Sequence, residues 1–161
     1  MVLDNATAKK VLRMFSYGMY VVTTADDSGE VGAFTADWCT QVSFEPRLIA
    51  LSVEEGAHSL EVLRKSGVFT VNVLETGQRE IAGQFGKATA KVGNKLEGVV
   101  YTTGSTGSPL LEQALGAIEC RVVQEHPVGD HILFVGEVVD AHLNREGEPL
   151  TMKETGFRYS G

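Results

Sequence analysis

GAFTADWCTQVSFEPRLIALSV, running from Gly32 to Val53, sets a polar turn of small residues, Thr35-Ala36-Asp37-Trp38-Cys39, between two β-type segments. Gln41-Val42-Ser43 follows at once, then a Phe44-Glu45-Pro46 break, then the apolar strand Leu48 to Val53. Ordinary connections carry Gly, Pro, Asn or Asp to turn the chain and little else. This one places a hydroxyl, a carboxyl, an indole and a thiol together beside buried strands. Read locally, the same residues also suit a barrel corner whose polar groups cap strand ends.

Working outward, Thr7 to Phe15 has the spacing of a short amphipathic helix with Val11, Leu12 and Phe15 on its apolar face, ended by Gly18. Tyr20 to Thr24 predicts a strand, Asp26-Asp27-Ser28-Gly29 a hairpin turn, and Glu30 to Thr35 the returning strand. Val68 to Leu74 is a further strand, and His58 to Lys65 a short helix with Ser59 near its start. Gln78 to Phe85 predicts another helix. The polar, Gly-interrupted stretch Lys87 to Gly98 predicts a loop over the site rather than core. Val99 to Thr102 suits an edge strand. Pro109-Leu110-Leu111 precedes a long strand pair, Ala117 to Glu125 and Ile132 to Ala141, and Leu150 to Tyr159 would add a last strand. Many short strands with a few short helices predict a mainly β fold, a closed or split barrel.

The chain of 161 residues fits one domain, 1–161, and its 43% hydrophobic and 22% charged content is that of a globular protein. A net charge of -7 argues against a nucleic-acid partner, which needs clustered Lys and Arg. No stretch approaches a membrane span, and the N-terminus has no basic start leading into an apolar run, so a cytoplasmic protein without signal peptide is expected. Cys39 and Cys120 are too few for a disulfide scaffold and show no metal spacing. No metal site is expected.

The opening stretch resembles the flavin-contacting segment of the flavin reductase-like family, the split-barrel proteins that bind FMN. The likeness recurs in Ser66-Gly67-Val68-Phe69-Thr70-Val71-Asn72-Val73-Leu74, in Ile81-Ala82-Gly83-Gln84-Phe85-Gly86, and in Gly129-Asp130-His131 followed by Phe134-Val135-Gly136-Glu137-Val138. These blocks keep the family's order and cover nearly the whole chain. The resemblance, not the composition, selects the FMN-binding split β-barrel.

By resemblance, Thr35, Ala36, Asp37, Trp38 and Cys39 line the flavin, with Gln41, Ser43 and Ser52 completing the lining. For the flavin phosphate, Gly56 and Ala57 let the backbone approach closely, and the helix start beside His58-Ser59 aims free N–H groups at an anion. Ser59 is equally suited to be a simple helix cap. Lys91 or Lys95 would supply positive charge. Phe85 and Gly86 fall where relatives approach the ring or a second subunit, and His131 matches the family's histidine near flavin and nicotinamide. Many members carry Asn-Ser where this chain has Asp37-Trp38. An ionised Asp only accepts. So either Asp37 points to solvent, or it opposes a reduced, anionic flavin.

The chain has neither a G-x-G-x-x-G nicotinamide fingerprint nor a G-x-x-x-x-G-K-[ST] phosphate loop. The resemblance therefore implies a homodimeric flavin reductase that uses NAD(P)H as reductant without a dedicated nicotinamide domain. It would take FMN, with FAD possible, and supply reduced flavin to a partner monooxygenase or electrons to an acceptor protein. The alternative is an FMN-binding electron-transfer flavoprotein that makes no productive use of NAD(P)H.

Overall fold

The computed structural model describes residues 2–159. In chain order the elements are α1 (Asn5–Leu12), β1 (Tyr20–Ala25), β2 (Val31–Ala36), β3 (Cys39–Phe44), β4 (Arg47–Glu54), α2 (His58–Ser66) and β5 (Val68–Val73). There follow α3 (Arg79–Gly86), α4 (Thr89–Val92), β6 (Tyr101–Thr103), β7 (Pro109–Leu111), β8 (Gly116–Val128), β9 (His131–Leu143) and α5 (Met152–Thr155). Seven strands form one antiparallel sheet in the order β2-β1-β5-β8-β9-β4-β3, and β6 and β7 form a separate ribbon.

The order of that sheet dictates its shape. Its two outermost strands, β2 and β3, are consecutive in the chain and joined only by Asp37 and Trp38. Laid flat, seven strands would separate those edges by about 29 Å, at about 4.8 Å per strand step. A connection this short reaches about 10 Å. The sheet must therefore curl until its edges meet, which makes a barrel left unpaired between β2 and β3, the split barrel expected from the sequence. Its interior is filled by Val22, Leu51, Val53, Phe69, Cys120, Ile132 and Phe134, with Leu60 and Leu63 of α2 packed among them. Burying a side chain such as Phe69 or Phe134 contributes about 2–3 kcal/mol relative to exposure. The helix lies so close to β2 that a Cβ on Gly32 would sit 3.1 Å from the Ser59 Cα and 2.9 Å from the Thr24 methyl. A second core, outside the sheet, gathers Met19, Val21, Ala33, Leu74, Phe85, Leu96 and Leu150.

The strands and middle helices lie where the sequence puts them, but four expectations change. The turn drawn across Thr35–Cys39 contracts to the bend Asp37-Trp38, since β2 runs through Ala36 and β3 begins at Cys39. The first helix spans Asn5–Leu12 because the Asp4 carboxylate accepts from the Ala6 and Thr7 amides, and it has no buried residue. The stretch after Lys87 carries α4 and sends Leu96 into the outer core, so it is partly core and not only a covering loop. The tail makes no strand. It joins the sheet region through bridges of Thr151 with Gly18 and Pro149 with Glu75, then forms the single turn of α5. Among the described residues no helix is long and apolar enough to cross a membrane.

Candidate active site

The bend that closes the barrel is also its most unusual chemical feature. The Ser52 amide donates to the Trp38 carbonyl at 3.0 Å, pinning the bend to β4. The Trp38 indole lies 4.8 Å from the His131 ring, tilted by 43°, and 5.1 Å from the Tyr159 ring, tilted by 58°. His131 is buried at the start of β9, opposite Glu54 of β4. Its Nδ1 is 2.7 Å from the Asp130 carboxylate and its Nε2 is 3.1 Å from the Tyr159 hydroxyl. The Asp130 carboxylate places a proton on Nδ1, and the Tyr159 hydroxyl that meets Nε2 also shares a hydrogen bond with the Glu54 carboxylate.

Two polar atoms in this cluster are buried without a hydrogen-bond partner among the described residues: Asp37 Oδ2 and Trp38 Nε1. Such groups cost roughly 1–3 kcal/mol each and are rare in folded proteins. One oxygen of the half-buried Asp37 carboxylate is therefore turned away from solvent. Burial raises its pKa, opposed by the Asp37 and Trp38 amides and by His131. An orphaned carboxyl oxygen and an orphaned indole N–H on consecutive residues suit the edge of a heteroaromatic ring that carries both donors and acceptors. The residues present fit a flavin.

Four residues back along β2, about 13 Å at strand rise, a second polar group gathers. Ser59 Oγ donates to the Ala33 carbonyl at 3.4 Å, and Lys95 Nζ donates to the same oxygen at 2.9 Å and to the Phe85 carbonyl at 3.0 Å. Burial lowers the Lys95 pKa. A cavity of about 430 Å³ opens here, lined by Val31, Ala33, Thr89, Asn94, Lys95 and Tyr101.

The residues expected at the site divide between these ends and elsewhere. Asp37, Trp38, Ser52 and His131 share the bend. Thr35 lies just before it, its hydroxyl donated to the Ala82 carbonyl at 2.5 Å, and Gly86 sits beside it at the end of α3. Ala36 belongs to the interior core, and Cys39 packs against that core. Burial, with Cys120 nearby, pushes the Cys39 thiol up to about 12, so it is not a reactive thiolate. Gln41 is exposed on β3 and donates to the Ser43 carbonyl at 3.0 Å. Gly56 is exposed with φ 84°, and Ala57 is the N-cap of α2 without any side-chain cap, so Ser59 is not the helix cap. Nε2 of His58 lies 3.5 Å from the Glu30 carboxylate. Phe85 is fully buried in the outer core and offers no face to a ring. Lys91 is exposed on α4, and the lysine that meets Ser59 is Lys95. Tyr159 went unnoticed in the sequence, because a tyrosine in a tail read as a strand carries no signal.

The model of the flavin reductase like domain matches residues 12–161. A ferric-chelate reductase (NAD(P)H) of Archaeoglobus fulgidus is 39% identical over 138 residues, covering 84% of this chain and 81% of the relative. The reductase component of 4-hydroxyphenylacetate 3-monooxygenase from Thermus thermophilus is 35% identical over 150 residues, 93% of each chain. The solved structure of the NADH:FAD oxidoreductase SgcE6 from Streptomyces globisporus C-1027 superposes with a TM-score of 0.86 at 29% identity, covering 98% of this chain and 94% of that one.

Proposed function

The chain belongs to the flavin reductase-like domain family, and from that membership we propose that it is an NAD(P)H-dependent flavin reductase acting on FMN. The observation that carries the reading is the orphaned pair Asp37 Oδ2 and Trp38 Nε1, buried at the barrel's closing bend beside His131. Bound flavin supplies the hydride acceptor, its N5, for the reduced nicotinamide. The bend holds the ring edge. Ser59 and Lys95 offer a hydroxyl and an ammonium to a phosphate about 13 Å away along β2, a distance suited to the ribityl spacer. With Asp130 holding Nδ1, His131 presents Nε2 to the nicotinamide carboxamide, which can donate or accept there.

Hydride transfer needs no enzyme base; it needs two rings held face to face. What this chain adds is electrostatic. Burial and the charges of Glu54, Asp37 and Asp130 raise the pKa of the Tyr159 hydroxyl beside the bend. Their negative charge favours the positive charge that a nicotinamide develops as its hydride leaves. The same charge disfavours retention of an anionic reduced flavin, which suits an enzyme that releases it to a separate monooxygenase, as the Thermus thermophilus relative's name implies for that protein. The protein acts as a homodimer, supported by the exposed apolar residues Val42 and Phe44 on edge strand β3 and by Val11, Leu12 and Phe15 around α1.

Anaerobic titration of the FMN-loaded protein with NADH and then NADPH tests the reading. Bleaching of the visible flavin band is expected, and the faster nucleotide names the donor. A flavin that stays oxidised with both would replace the reductase by an electron carrier.

A further inference from the structure

Beyond α5 the tail is tied down to a definite point. The Glu154 carboxylate accepts from Thr76 Oγ1 at 2.6 Å and from the Gly77 amide at 2.7 Å. Arg79 Nε donates to the Thr155 carbonyl at 2.6 Å, and the Arg79 guanidinium lies 4.9 Å over the Phe157 ring. Arg158 is exposed, and the next residue turns back onto the bend: Tyr159 sets its ring on the Trp38 indole and its hydroxyl on His131 Nε2. That ring is still 40% exposed.

These contacts have the form of a small aromatic ligand. A six-membered ring packs at a tilt against an indole and pairs through its polar group with an imidazole nitrogen. A nicotinamide has the same two features, a flat six-membered ring and a carboxamide that donates or accepts. We propose that Tyr159 occupies the place of the incoming nicotinamide and sets the enzyme's affinity for NAD(P)H by competing for Trp38 and His131 Nε2; the inference rests on the reductase reading above. The anchors at Glu154, Thr155 and Phe157 keep the tail close, so the tyrosine returns when the nucleotide leaves. Its partial exposure lets it swing away without opening either core. A competing internal group raises the apparent KM by the inverse of the fraction of time it leaves the site free.

Trp38 is the only tryptophan of the chain, so its fluorescence reports the bend without reference to activity. In Tyr159→Ala, acrylamide quenching of Trp38 should rise in the nucleotide-free protein. KM for the preferred nucleotide, NADH or NADPH, should fall about five-fold, by more than any change in kcat. Tyr159→Phe, which keeps the ring and loses the O–H, should fall between wild type and Tyr159→Ala in both measurements. A Tyr159→Ala enzyme with unchanged or raised KM, measured against an active wild type, overturns the competition and leaves the reductase reading standing. A wild-type protein that oxidises neither nucleotide overturns the reductase reading and the competition with it.

Discussion

Ser59 and Lys95 meet on a single backbone oxygen, the carbonyl of Ala33, at 3.4 Å and 2.9 Å. The lysine reaches it from the segment after α4, the serine from the first turn of α2, and β2 runs between them. A half-buried ammonium with two carbonyl acceptors keeps a third N–H for a ligand. Lys95→Met should therefore weaken FMN binding by about ten-fold or more, the worth of one charge-assisted hydrogen bond. Binding of riboflavin, which lacks the phosphate, should stay close to wild type, and Lys91→Met should leave both ligands unaffected. Fluorescence titration of each variant with both flavins checks this, and an equal loss for riboflavin would reduce Lys95 to a structural tie.

This pair shows what the sequence could and could not reveal. Strand positions were legible, because alternation and turn residues are local: Asp26-Asp27-Ser28-Gly29 fixes the hairpin of β1 and β2 wherever it sits. The bend was legible too, since a carboxyl, an indole and a thiol do not gather in an ordinary turn. Lys91 and Lys95 were indistinguishable. Both lie in one polar stretch, and only the close packing of α2 and α3 on β2 sends one of them inward. The sequence marks Val11, Leu12 and Phe15 as an apolar face, and the chain leaves it exposed. Periodicity reports that a face is apolar and not what covers it. The contact of Tyr159 with Trp38 joins the tail to an early bend, a long-range relation without local pattern.

Asp37 should decide how the two redox states of flavin are held. Its half-buried carboxylate, one oxygen of which is left without a partner, can accept hydrogen bonds but repels an anionic ring. Asp37→Asn should tighten reduced flavin by about ten-fold while changing oxidised flavin less. The pH dependence follows from the raised pKa of Asp37. As pH falls through that value the carboxyl becomes neutral, so the wild-type protein should gain affinity for reduced flavin. Asp37→Asn should lose this dependence. Anaerobic titrations of photoreduced FMN between pH 8 and the acid limit of folding compare the two.

Glu119 forms a clamp on the far side of the sheet, and acid should release it. Its fully buried carboxylate accepts from the Thr106 amide and hydroxyl at 2.7 Å and 2.6 Å, from the Ser105 amide at 3.2 Å, and lies 2.7 Å from His142 Nε2. A Cβ on Gly104 would collide with it, so the loop closes only with glycine there. Burial alone would raise the Glu119 pKa, but the Thr106, His142 and Ser105 donors prevail and bring it from 4.5 down to about 2. With the folded pKa below the ordinary one, the ion's contribution to stability is complete above about pH 4.5 and is lost as pH falls toward about 2. Glu119→Ala strands these donors and should cost about 3 kcal/mol at neutral pH. Denaturant unfolding should show the gap from wild type narrowing across that acid window, and a gap constant with pH would deny the carboxylate its charged role.

Phe44 should hold two copies of the chain together. It is 85% exposed at the end of β3, an edge of the sheet, with Val42 exposed at 53% on the same strand and, elsewhere on the surface, α1 carrying no buried residue. Scattered exposed apolar side chains need no explanation, but a bare phenylalanine with a valine two positions away on an edge strand invites either a partner or aggregation. In a two-fold dimer the residue is used twice, so one substitution removes two buried rings. At about 2 kcal/mol per ring, Phe44→Asp should weaken the dimer by at least about a hundredfold. Sedimentation velocity across micromolar concentrations should then show wild-type dimer and variant monomer. Unfolding midpoints measured alongside show that the variant's barrel is intact. A wild-type chain that sediments as a monomer throughout would overturn the homodimer, and the exposed strand would then need a different partner.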